Sequence, residues 1–263
     1  SVGALTAAVA AGGPRMASAR PLVLASAWIV QAFALLMWLD ALGEAALTPY
    51  TWVPETWSRQ AAPDLTTSPL AAAVVGGITA LMAIASARVL DGPRGAYRAA
   101  VIGVPLALLV LPATAGLPYW AGLALVCGLV TALAIRATLA RTADAAAAVM
   151  AFGPASLALA WSSPLEPATL AVTGGLAVLA AGCALLARDT VMRCGSSAVA
   201  VLASGGLVAA ASLAAGLSVG AAGLAVLAVA APAALGAWEI GHRRPEAGVS
   251  VELAGYAVAV AGL

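Results

Sequence analysis

The chain has 263 residues, 63% of them hydrophobic and 9% charged, and its mean hydropathy is +1.03. Soluble domains run at about 45–50% apolar and ~25% charged, so a water-soluble enzyme is excluded, as are disordered, collagen-like and disulfide-scaffold classes. Twelve Arg, with no Lys, stand against 11 acids, which leaves no basic excess for a nucleic-acid surface.

A hydrocarbon layer of ~30 Å takes about 20 helical residues to cross. Eight apolar runs qualify: 21–39, 69–87, 99–117, 120–135, 145–162, 167–187, 197–217 and 219–238. None alternates with the period of two that a barrel strand needs, so each reads as a helix. Two shorter apolar stretches, 2–13 and 251–263, lie at the ends. A start at Ser1 and an end without a polar flank lead to the expectation of a piece from a longer polytopic chain. The whole of 1–263 is expected to be one transmembrane domain.

Sidedness follows from Arg, because cytoplasmic loops retain positive charge during insertion. Threading the eight spans alternately puts Arg15, Arg20, Arg88, Arg94, Arg98, Arg136, Arg141, Arg188, Arg193, Arg243 and Arg244 on one side and leaves only Arg59 opposite. Trp38, Tyr50, Trp52, Trp57, Tyr119, Trp120 and Trp161 then fall at the outer interface, where amphipathic rings prefer to sit, and Tyr97 and Trp238 at the inner one. The Ala/Arg/Gly-rich, Lys-free usage resembles that of multi-spanning proteins of high-GC bacteria, so the expected location is a bacterial plasma membrane.

The Arg-bearing returns at Arg88, Arg136, Arg188 and Arg243 recur with a period near 50 residues. Ala115-Gly116-Leu117 matches Ala215-Gly216-Leu217 at two outer tips, and Ala121-Gly122-Leu123 matches Ala222-Gly223-Leu224 just after them. Two spans and two short loops give such a period whatever their ancestry. Duplication of a helical hairpin is the competing explanation.

Chemistry has few places to reside. No Asp, Glu, Lys, Arg or His lies near the midplane of a span, which argues against proton relays, retinal pumps and intramembrane proteases. Gln31 sits mid-span and is expected to hydrogen-bond to a neighbouring helix, with a substrate contact as the alternative. Pro105 and Pro112 interrupt the third span, Pro154 the fifth and Pro232 the eighth. Each removes a backbone donor, and broken helices line substrate paths in transporters; Pro105 with Pro112 is the hinge candidate. Gly76-Gly77, Gly174-Gly175, Gly182, Gly205-Gly206 and Gly236 allow close helix approach. Cys127 and Cys183 lie in spans and Cys194 in an inner loop, too scattered for a metal site, and no disulfide is expected. No cofactor fingerprint or catalytic motif is present, so no cofactor is implied and a non-enzyme is favoured.

The outer loop 40–68 carries Asp40, Glu44, Glu55, Arg59 and Asp64 among Tyr50, Trp52 and Trp57. A short helix over 54–59 would place Pro54 in its first turn and pair Glu55 with Arg59. Trp52 and Trp57 are expected to anchor this segment in the headgroups. Asp40 and Glu44, four residues apart past the end of the first span, face the unfavourable end of its dipole. Acids in a first outer loop resemble those of lipid-linked-sugar glycosyltransferases. That resemblance implies a catalytic pair, although no DxD-type motif accompanies it.

The expectation is an all-α polytopic bundle of eight full spans and two truncated terminal ones, joined by hairpins. Permease-like transport or export of a neutral or amphipathic solute is the leading function. The other is an envelope-assembly protein, a glycan transferase or a scaffold, working through 40–68. The partners expected are the lipid bilayer and other membrane subunits, with no nucleic acid.

Overall fold

The computed structural model describes residues 20–57, 63, 70–139, 145–228, 254, 255 and 257. Among them all regular structure is helical. The helices are α1 (Arg20–Met37), α2 (Leu39–Leu47), a 3-10 helix (Thr48–Glu55), α3 (Leu70–Thr114), α4 (Tyr119–Leu139), α5 (Ala145–Ser162), α6 (Glu166–Leu186), α7 (Thr190–Ala214) and α8 (Val219–Ala228). Among the described residues five helical stretches are long and apolar enough to cross a membrane: Leu24–Pro54, Leu70–Thr114, Tyr119–Leu139, Glu166–Leu186 and Thr190–Ala214. The expected count of eight is therefore not reached by this measure. The second and third expected spans are one 45-residue element, α3. The last extends beyond 228, outside the described residues, as do Arg15, Arg59, Arg141, Arg243 and Arg244.

Large apolar side chains point away from the protein on these helices. Phe33 is 66% exposed, Leu81 65%, Val178 75% and Leu185 86%. A surface this apolar fits a hydrocarbon solvent and not water.

Contacts divide the chain into two compact units, 1–51 with 63–126 and 52–62 with 127–263, the boundary falling inside α4. In the first unit α1 runs antiparallel to the first half of α3. Trp28 Nε1 donates to Ser86 Oγ (3.0 Å), and one turn further along α1 Gln31 Nε2 donates to Thr79 Oγ1 (2.6 Å). Gly92 breaks α3 with φ 71° and ψ −155°, a region open essentially to Gly alone. The two halves fold back on each other. A Cβ on Gly103 would stand 3.3 Å from Ala80 Cα and Cβ, so the backbones cross closely there. Pro93 follows the break, where a missing N–H costs a new helix nothing. Space is as restrictive as dihedral angle at this turn: a Cβ on Gly95 would lie 2.5 Å from Asp91 Cβ and 2.7 Å from the Ala87 carbonyl oxygen.

The second unit is built on α6 and α7, its most extensive pairing. Here the turn is made by side chains. Asp189 accepts from the Met192 amide at 3.2 Å as N-cap of α7, and Arg193 Nη2 donates to the Ala187 carbonyl at 2.7 Å. That cap starts α7 at Thr190, seven residues ahead of the run expected from hydropathy. Cys194 consequently lies inside a helix and not in a loop.

The matching tripeptides end their helices alike. Leu117 N–H donates to the Pro112 carbonyl (3.1 Å) and Leu217 N–H to the Ser212 carbonyl (3.1 Å), with Gly116 at φ 62° and Gly216 at φ 76°. This is the six-to-one bond of a Schellman cap, with Gly at the left-handed position.

Candidate functional site

The residues singled out from sequence are distributed over both units. Gln31, 4% exposed, is held by Thr79 Oγ1 and more loosely by the Val75 carbonyl at 3.3 Å; Thr79 Oγ1 in turn donates to the same carbonyl at 2.7 Å. The amide therefore bonds across to α3 from within the first unit. Pro105 and Pro112 are buried in the second half of α3, and the backbone stays helical through both. Pro112 falls in the last turn, where its carbonyl accepts from Leu117.

Most of the described part of the expected outer loop is helical. Trp38 (φ −113°, ψ 9°) ends α1, and α2 begins at once, so Asp40 stands in the first turn of a new helix and not beyond the end of the old one. The dipole there favours its charge, contrary to the sequence reading. Asp40 and Glu44 are both exposed, four residues apart on α2. Thr48 Oγ1 donates to the Glu44 carbonyl (2.6 Å), and the chain tightens into the 3-10 helix. Pro54 lies near the end of that helix instead of opening one over 54–59. Arg59, the partner proposed for Glu55, is outside the described residues.

Trp52 is buried, 6% exposed. Trp57 takes a left-handed φ of 57°, uncommon for a bulky residue. Its backbone N–H donates to the Ser163 carbonyl (3.0 Å) and its indole N–H to Thr169 Oγ1 (3.2 Å), which donates onward to the Ser162 carbonyl (2.8 Å). The segment is thus fastened to the α5–α6 turn within the second unit. Other members of the expected aromatic belt divide. Trp120 and Tyr50 are exposed, whereas Tyr119 and Trp161 are buried in protein.

Sequence reasoning did not anticipate a partly open apolar cavity of about 240 Å³ in the second unit. It is walled by α4 (Val130, Ala134, Ala137), α5 (Ala148, Ala151, Phe152, Ala155), α6 (Leu176, Leu179, Ala180, Cys183) and α7 (Val191, Met192, Gly195, Ser196, Val199). Each set recurs at helical spacing, so one stripe per helix faces the space. The walls come from the C-terminal halves of α4 and α6 and the N-terminal halves of α5 and α7. The cavity therefore lies at the end of the helices that carries Arg136, Arg188 and Arg193. An apolar occupant keeps its contacts on entering such a space, whereas a polar one gains little there. The signal in sequence was the Ala148, Ala151, Ala155 stripe, where small side chains leave room that Leu would fill.

Among the described residues no group of three or more His, Cys, Asp or Glu is placed to hold a metal ion. The three cysteines are free. Comparison with protein-family models, with characterised proteins and with solved structures finds no match to the chain.

Proposed function

We propose that the protein is a permease-like membrane bundle that moves or exports a neutral or amphipathic solute across a bacterial plasma membrane. The observation that carries this reading is the apolar cavity between four helices. Eight crossings belong to the same proposal: at 1.5 Å per residue α3 is about 68 Å long, more than twice a ~30 Å layer, and Gly92 divides it into two halves that are each long enough. The lipid bilayer is then the principal partner, with further membrane subunits beside it.

The test is reconstitution into liposomes with a fluorophore-tagged phospholipid whose inner-leaflet fraction is shielded from an impermeant reductant. Vesicles with protein should lose that shielded fluorescence faster than empty ones, and Ala180→Phe, which fills the cavity, should restore the empty-vesicle rate. Equal rates with and without protein overturn the proposal for an amphipathic lipid solute. Pro105→Ala with Pro112→Ala tests the hinge: an unchanged rate removes it.

A second reading, an envelope-assembly enzyme or scaffold, is favoured by the exposure of Asp40 and Glu44 on one helix. Asp40→Ala with Glu44→Ala should then abolish the cell-envelope phenotype of the intact gene, and retention of that phenotype removes the catalytic pair.

A further inference from the structure

The cavity has a shape as well as a volume. Its walls extend over 8 or 9 residues of each helix (Val130 to Ala137, Ala148 to Ala155, Leu176 to Cys183, Val191 to Val199), which is about 11 Å of axial length. Spread over ~11 Å, 240 Å³ leaves a cross-section of roughly 20 Å², one aliphatic chain wide. An apolar cavity of ~150 Å³ accommodates a six-carbon ring, so this one has room for about ten carbons in a row. Ser196 and Cys183 contribute the only hydroxyl and thiol among the lining side chains. A polar solute would lose its hydration here with almost nothing in return.

Three Arg lie at one end of the helices that wall this slot. Arg136 directly precedes the lining residue Ala137, and Arg193 directly follows Met192. Arg188, exposed, stands in the turn between Cys183 and Val191. Asp189 at that turn caps α7 through the Met192 amide and Arg193 donates to the Ala187 carbonyl, both keeping their charge, so Arg136, Arg188 and Arg193 outnumber the one described acid there. An apolar slot whose walls end in an Arg-bearing segment matches an amphiphile that is aliphatic at one end and anionic at the other.

We propose that the cavity holds one aliphatic chain of an anionic amphiphile, with its head at the rim formed by Arg136, Arg188 and Arg193. This rests on the cavity being the working site of the proposed function and names the class of molecule that enters it. One chain of an anionic phospholipid and the tail of a free fatty acid share this chemistry.

The test uses the full chain in phosphatidylcholine nanodiscs doped with one of three photoreactive probes, each with a diazirine on an acyl chain: phosphatidylglycerol, palmitic acid or phosphatidylcholine. Labelled peptides are mapped by mass spectrometry. The cavity-lining peptides of α4 to α7 should be labelled at least fivefold more by an anionic probe than by phosphatidylcholine, the factor that about 1 kcal/mol from a single guanidinium implies. Whichever anionic probe labels more strongly identifies the source. Arg188→Gln should reduce that preference, and Ala180→Phe should abolish labelling of these peptides while labelling of Leu36 and Met37 persists. If Ala180→Phe fails to fold, Ala155→Leu narrows the same space and should give the same result. Equal labelling by phosphatidylcholine, or labelling unchanged in a folded cavity-filled variant, overturns the inference. Vesicles that show the labelling but no accelerated flux leave the occupant established and remove only the transport reading.

Discussion

Two turns in this chain reverse a helix by opposite means. At Gly92 the backbone enters a region that side chains exclude, and Gly95 beside it has no space for a methyl group. At 187–189 no residue has a positive φ; Asp189 and Arg193 hold the turn through hydrogen bonds to the amide of Met192 and the carbonyl of Ala187. Both turns carry Arg. A reversal beside charged groups can thus be secured by the absence of a side chain or by its presence, and the two should respond differently to mutation.

The largest expected effect is at the first turn. Gly92→Ala should cost about 1–3 kcal/mol, read as a shift in detergent-titrated unfolding, with Gly95→Ala comparably damaging because its methyl overlaps the Ala87 carbonyl. Wild-type stability for both variants would mean that the turn has another solution and that the contrast is false. At the second turn Asp189→Ala should cost about 1 kcal/mol, and Asp189→Ser should recover most of that; faster hydrogen exchange at the Met192 amide would locate the loss.

Smaller effects sharpen the contrast elsewhere. A double-mutant cycle of Gln31→Leu and Thr79→Val should give a coupling of about 0.6 kcal/mol, the usual value for a polar contact between membrane helices. A coupling indistinguishable from zero would show the 2.6 Å bond to be energetically idle. Gly174 tests whether glycine matters only where space forbids a side chain. A Cβ there would meet Leu207 Cδ1 at an ordinary 3.7 Å, so Gly174→Ala should range from no change to a gain of about 0.5 kcal/mol. A clear loss would extend the steric requirement beyond the turn.

The helical character of the chain was legible because hydrophobicity dominates its composition, and no strand pattern competes with it. Boundaries were less legible. Hydropathy registers Arg193 as an interruption, yet a helix tolerates an Arg near its start and responds instead to the Asp189 cap. The 88–98 segment read as a loop because of its charges, while Asp91-Gly92-Pro93 was the stronger signal of a single sharp break. In 40–68, Thr48 and Pro49 let one helix tighten into another, a local backbone choice that periodicity does not encode. The cavity was least legible of all. Its lining is mostly ordinary Ala, Val and Leu, and only the packing of four helices makes a void of them.

The two Ala-Gly-Leu helix ends bear on ancestry. Stereochemistry alone selects glycine wherever a chain must turn left-handed, so convergence suffices to put the same tripeptide at two such places. Common descent of the segments around Gly116 and Gly216 therefore has to be judged on positions that no cap constrains, such as the lipid-facing residues of the preceding turns.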